Sequence, residues 1–205
     1  MIFPIYRELF LLQKLLRLLV FASILLFSCT GKTTINADNP KKAERPIISY
    51  AKRLIIEMSD GYSQVSILNP WQGARNIAQN WFLIPEGETI PSFIDTSEVI
   101  RVPIKKIICM STTHLSMISA LDKEGSVVGF SGTRFIYSID LIQDVSKGDI
   151  REIGYDDNLN KELILKLDPD LVMVYGIGSE SAGYVAKLKE MGVKVVYNAD
   201  YLETD

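Results

Sequence analysis

The sequence predicts an α/β protein: an open, doubly wound parallel sheet with an antiparallel addition on its N-terminal side. Three patterns carry that expectation. Short runs that are apolar on successive residues, at 107–110, 127–129, 150–154, 171–175 and 193–197, suit strands covered on both faces. Segments of helical spacing lie between them, and strands alternating with helices imply right-handed crossovers within one parallel sheet. Ahead of these, the strand-like runs 53–58 and 64–68 flank Ser59-Asp60-Gly61-Tyr62, where Asp-Gly is a strong hairpin signal.

Taken in order, residues 80–85 and 98–102 read as two further strands on either side of the turn-rich Pro85-Glu86-Gly87-Glu88, so the first part looks antiparallel. The helices of the second part fall at 113–122, 137–145, 160–167 and 181–191. Ser111 or Thr112 can cap the first and Asn158 or Asn160 the third. Gly125 and Gly192 follow the first and the last, and Asp168-Pro169 closes the third.

The start of the chain differs from the rest. Arg7, Lys14 and Arg17 precede the apolar run 18–27, a basic region leading into a short hydrophobic one, which reads as an export signal over residues 1–28. The run ends in Leu26-Phe27-Ser28-Cys29, which resembles the lipobox of bacterial lipoproteins, with Phe27 bulkier than the small residue usual there. That resemblance implies lipidation of Cys29 and an anchor in a membrane. Residues 29–46 are polar and lysine-rich with almost nothing apolar, a flexible tether with a root-mean-square reach of roughly 20 Å. Cys109 lies in the apolar run 107–110 and is expected to be a buried small hydrophobe without a disulfide.

Composition narrows the function. With 205 residues, 47% hydrophobic and 23% charged, the chain has the balance of a folded protein. A formal net charge of −3 argues against nucleic-acid binding through a basic patch. One histidine, His114, and two cysteines are too few for a zinc site of the usual Cys and His types.

In open α/β sheets, ligands bind beyond the carboxyl ends of the strands. The loops there are Ser111-Thr112-Thr113-His114, Ser131-Gly132-Thr133-Arg134-Phe135, Tyr155-Asp156-Asp157-Asn158 and Gly176-Ile177-Gly178-Ser179, all polar and rich in hydroxyls. His114 has neither a G-x-S-x-G elbow nor a second histidine to work with, so hydrolysis is a weak reading. The guanidinium fork of Arg134 suits anionic oxygens. Gly176-x-Gly178-x-x-Ser181, with Asp200 after the next strand, comes near the dinucleotide fingerprint and supports an alternative, an exported α/β enzyme binding a nucleotide or sugar. Against it, serine replaces the third glycine and the unit is the fourth βα repeat instead of the first.

Ile107-Ile108-Cys109-Met110-Ser111-Thr112-Thr113-His114-Leu115, Val127-Val128-Gly129-Phe130-Ser131, Ile153-Gly154-Tyr155 and Leu167-Asp168-Pro169-Asp170-Leu171-Val172 together resemble the N-terminal lobe of periplasmic substrate-binding proteins of the iron-siderophore and vitamin B12 class. The hairpin region before them looks like the extension of Bacteroides-type lipoproteins of that family. The resemblance implies a β extension over 47–103 and a first lobe over 104–205, with the second lobe absent, so a truncated form or fragment whose ligand affinity is reduced. It implies capture of a ferric siderophore or corrinoid in the periplasm, delivery to an ABC permease, no catalysis and no resident cofactor. Ser111, Thr112, Thr113, His114, Ser131, Gly132, Thr133, Arg134 and Tyr155 would face the ligand, and Glu162 would dock on the permease. With one histidine the chain is unlike the subgroup that coordinates bare zinc or manganese, and a preformed chelate fits better.

Overall fold

The computed structural model describes residues 44–155, 158–177 and 180–203. The chain divides into two units, Met1–Asn39 and Pro40–Asp205, and the described residues belong to the second. Cys29, the leader and residues 29–43 of the tether lie outside them, while Glu44, at the end of the expected tether, pairs with Met58 of the first strand through two backbone hydrogen bonds of 3.0 and 2.8 Å.

The N-terminal strands are β1 (Leu54–Ser59), β2 (Tyr62–Leu68), β3 (Ala78–Pro85) and β4 (Val99–Val102), hydrogen-bonded in the order β1-β2-β3-β4. Ser59 pairs with Tyr62 across the Asp60-Gly61 turn, and Gly61 takes a positive φ of 81°, as the hairpin signal requires. β2 and β3 are antiparallel, but β4 runs parallel to β3. That corrects the expectation of a wholly antiparallel unit. Residues 86–98 form a connection long enough to carry the chain back past β3 before it re-enters the sheet.

The second part contains β5 (Ile107–Cys109), α1 (Thr112–Ser119), β6 (Val127–Phe130), α2 (Ile139–Lys147), β7 (Arg151–Glu152), α3 (Lys161–Leu167), β8 (Leu171–Val174), α4 (Glu180–Glu190) and β9 (Val195–Tyr197). Its five strands are all parallel, in the order β7-β6-β5-β8-β9. β7 is shorter than the apolar run suggested. It is an edge strand whose two residues are exposed, while the flanking Ile150 and Ile153 are buried. Ser111 caps α1 by accepting from the Thr113 amide, and Asn160 caps α3 by accepting from the Leu163 amide.

Alternate residues of the parallel strands feed two cores. Ile107, Cys109 and Leu171 pack with Leu115 and Ile118 of α1 and Leu141 of α2, and Trp81 and Ile100 of the N-terminal sheet join them there. Ile108, Val172, Val174 and Val195 pack on the opposite face with Ile164 of α3 and Val185 and Leu188 of α4. Each fully buried aliphatic side chain is worth about 1.5–3 kcal/mol, so the unbroken apolar runs and the two-sided cover are one fact seen twice. Cys109 is buried and free, and burial pushes its thiol up to about 12.

The N-terminal sheet is fastened to the edge of the parallel one by a side chain. Gln79 of β3 donates its Nε2–H to Val195 O at 2.8 Å and accepts from the Tyr197 amide at 3.1 Å, as a neighbouring strand would. Nearby, both carboxylate oxygens of Glu203 accept from the amides of Lys52 and Arg53, at 2.8 and 3.0 Å.

Candidate functional site

From β5 the chain winds outward through β6 to β7, then crosses back to β8 and on to β9. The loops after β5 and β8 therefore diverge, and a crevice opens beyond the carboxyl ends of those strands. An open cavity of about 360 Å³ occupies this place. Ser111, Thr112 and Ser131 give it a hydroxyl side, and Phe130, Phe135, Tyr137, Tyr155 and Tyr175 give it an aromatic wall.

Ser111, Ser131 and Tyr155, drawn from three loops, thus meet at one rim. Ser131 is buried, and its amide donates to Cys109 O at 3.1 Å, which ties the loop after β6 to β5. Thr112 is exposed at the first turn of α1 and lines the cavity. Thr113 does not line it; its exposed hydroxyl is 2.9 Å from Ser111 Oγ and completes the cap of the helix. Arg134 is exposed and lies over the aromatic wall, its guanidinium carbon 4.6 Å from the Phe135 ring centre and 5.4 Å from that of Tyr155. Stacking of this kind leaves the edge N–H groups of the guanidinium available to an anionic ligand.

Gly132 and Thr133 play a different part from the one their loop position suggested. Glu152, at the end of β7, holds them. Its Oε1 accepts from the amides of Gly132 and Gly154, at 3.0 and 2.9 Å. Its Oε2 accepts from the Thr133 amide at 2.6 Å and from the Thr133 hydroxyl at 2.7 Å. Burial alone would raise the Glu152 carboxyl, but hydrogen bonds from Thr133, Gly132 and Gly154 outweigh it and hold it below the usual glutamate value. One carboxylate thus fixes the two loops that carry Phe135 and Tyr155, whose rings are 5.6 Å apart.

His114 is not at the rim. It is fully buried, with Nε2 3.4 Å from Asn198 O, because its place on the inner face of α1 turns the ring toward the end of β9. Burial lowers its pKa below the ordinary 6.5, only partly offset by the neighbouring carbonyls and the charge of Asp200. A histidine that is kept neutral in the fold and charges readily when unfolded costs stability as protons are added. Stability from this group is therefore complete above the ordinary histidine value and declines as pH falls below it. Urea midpoints at pH 7.5 and 5.5 should show that loss, up to about 1.4 kcal/mol per pH unit, and a His114→Phe variant should flatten it. Equal pH slopes in both proteins would contradict the assignment.

Glu162 is exposed in the first turn of α3. Gly176, in the loop after β8, serves the protein itself. A Cβ on Gly176 would lie 2.4 Å from Trp71 Cβ, and the Gly176 carbonyl accepts from the Gln72 amide and the Tyr201 hydroxyl. Gly178 lies outside the described residues, and Asp200 lies in a short helical turn after β9. Its close contact with Trp71 accounts for Gly176 without a phosphate.

Sequence reasoning missed Glu152, Phe135, Tyr137 and Tyr175. The readable signal was position: an acidic residue at a strand's end, and aromatic residues in the segments that follow β6 and β8.

Comparison with known proteins adds the following. No protein-family model matches the chain. It is 28% identical over 195 residues to an uncharacterized lipoprotein of Methanocaldococcus jannaschii. That alignment covers 86% of this chain, which spans only 46% of the relative's length. Among solved structures, the periplasmic vitamin B12 binding protein of Vibrio cholerae superposes with a TM-score of 0.36 at 21% identity, over 46% of this chain and 34% of that one. The iron-uptake ABC transporter substrate-binding protein of Streptococcus pneumoniae gives 0.35 at 22% identity, over 45% and 30%. A periplasmic heme binding protein of Pseudomonas aeruginosa gives 0.36 at 21%, over 45% and 30%.

Proposed function

We propose that the chain is the lipid-anchored solute-binding component of an ABC importer, with residues 104–205 as its first lobe and a ferric siderophore or corrinoid as its ligand. The observation that carries this reading is the rim cavity, where three serine and threonine hydroxyls face five aromatic rings beyond the carboxyl ends of parallel strands. At about 360 Å³ and open to one side, it is half of a clamp for a bulky ligand, and a second wall would have to close on it. The rings offer flat apolar surface, and Arg134 offers a cation to ligand carboxylate or phenolate oxygens. No step in this reading is chemical: the chain binds and hands over.

Anchoring would be through Cys29, in keeping with the lipoprotein named above, and Glu162 would meet basic pockets of the permease. No helix among the described residues is long and apolar enough to cross a membrane. The test is equilibrium binding, followed by tryptophan and tyrosine fluorescence, of ferric hydroxamate and catecholate siderophores and of cobalamin to the chain. One of them should bind, and Arg134→Ala combined with Tyr155→Ala should weaken it at least 10-fold. Absence of binding by every one of these ligands, or a double variant that binds as well as the parent, would overturn the reading.

A further inference from the structure

A second opening, of about 420 Å³, lies beside the rim cavity, between α1 and α2. Thr112, Phe135 and Tyr137 line both, so the two adjoin. Thr112, Leu115, Ser116 and Ser119 fall three or four residues apart on α1 and so present one face of it to the opening. Leu115 and, from α2, Leu141 are buried and give the opening an apolar floor. Ser138 precedes α2 without capping it, and neither its hydroxyl nor that of Ser119 bonds to another described residue. Glu124, half-buried, supplies the one formal charge of the lining. Among the described residues it pairs with no cation.

We propose that this second opening is a subsite for an alkylammonium arm of the ligand, with Glu124 as its counter-ion. The proposal rests on the rim cavity as the main ligand site and narrows the ligand class to one that carries a protonated primary amine. An ammonium has three donors, and the Glu124 carboxylate and the free hydroxyls of Ser119 and Ser138 are acceptors for them. The methylenes of the arm would rest on Leu115 and Leu141, as a lysine stem rests on apolar surface. Tyr137, 88% exposed, has ring surface left to cover the arm where it passes from one cavity to the other. Asp140, in the first turn of α2, offsets the positive end of that helix. An arm ending in carboxylate would meet Glu124 with like charge and find no lysine or arginine in the lining. One ending in a neutral group would take water from Glu124 and return no charge to it. Arg134 at the rim and Glu124 beyond it thus select a ligand with anionic oxygens at one end and a cation at the other.

The experiment uses the full chain, isotopically labelled, in nonionic detergent, and titrates it with n-butylammonium and with n-butanol while amide signals are followed by NMR. Butylammonium should move the signals of Ser116, Ser119, Glu124 and Leu141 and leave those of Val172 and Val195 in place. It should bind at least 5-fold more tightly than butanol, and Glu124→Gln should remove that preference. In parallel, a linear ferric trihydroxamate ending in a free ammonium should bind at least 5-fold more tightly than its N-acetyl derivative, again with the preference lost in Glu124→Gln. Unmoved signals in α1, butanol bound as tightly as butylammonium, or equal affinity of the parent for the two trihydroxamates would overturn the subsite. Butylammonium shifts at Ser119 and Leu141 in a chain that binds no chelate at all would sustain the subsite and overturn only the ferric siderophore and corrinoid reading. Comparing two probes on the parent chain needs no substitution, so a misfolded variant cannot mask the result.

Discussion

Replacing Gly154 by alanine should destabilise the fold by about 3 kcal/mol or more, among the largest losses any single methyl can cause here. Gly154 follows β7 with a φ of 89°, a left-handed conformation that side chains rarely adopt, and a Cβ there would lie 2.1 Å from the Asn158 carbonyl oxygen. That contact is with backbone, which cannot rotate away, and the backbone in question carries the chain from the rim into α3. Gly148 provides the control. Its φ of 86° is nearly the same, but nothing lies within 4 Å of the Cβ position, so Gly148→Ala should cost only about 1 kcal/mol. Urea denaturation of the two variants measures the difference directly. Equal losses would mean that the steric conflict at Gly154 relaxes, and that the loop after β7 is softer than its hydrogen bonds imply.

The second large effect should come from Glu152→Gln. The substitution keeps the shape and removes the charge, and it sets an NH₂ group against at least one of the N–H donors that the carboxylate now accepts. Two amides of the loop after β6 and one of the loop after β7 depend on that carboxylate. Hydrogen–deuterium exchange at Gly132, Thr133 and Gly154 should rise at least 10-fold, while exchange at Ile108 and Val172, in the centre of the sheet, stays as it was. Global stability should fall by only about 1–2 kcal/mol, since the carboxylate is near the surface and water can replace part of what is lost. Exchange that remains slow at all three glycine and threonine amides would show that the loops are ordered by something other than Glu152. Acid should reproduce the variant. The carboxyl is held below the usual glutamate value, so its contribution is complete above that value and is lost as pH falls through the lowered one.

These two residues mark the boundary of what the sequence could disclose. The parallel strands were legible because burial on both faces writes an uninterrupted apolar run, and the order of strands and helices then leaves few topologies. Ser111 and Asn160 were legible as caps because a short polar side chain before a helical run has one dominant local use. The direction of β4 was not, since a loop of the length of 86–98 can return the chain either way. His114 was misplaced because a polar type near a helix start reads as exposed, whereas the inner face of α1 at that turn meets the end of β9. Of the rim, the hydroxyl loops could be listed from the strand ends alone. The carboxylate that holds them could not, because Glu152 acts on a loop about twenty residues before it, and only the pairing of β6 with β7 brings it there.

Gln79 has a bearing on how this protein behaves at high concentration. A parallel sheet normally ends in a strand whose outer amides and carbonyls can recruit a strand from a neighbouring molecule. On β9 the Val195 carbonyl and the Tyr197 amide already bond to the Gln79 amide group, so that flank offers a stranger no ladder to climb. Polymerisation through this border is blocked by a single side chain. Whatever joins the molecule there must meet it by surface fit and not by lengthening its sheet.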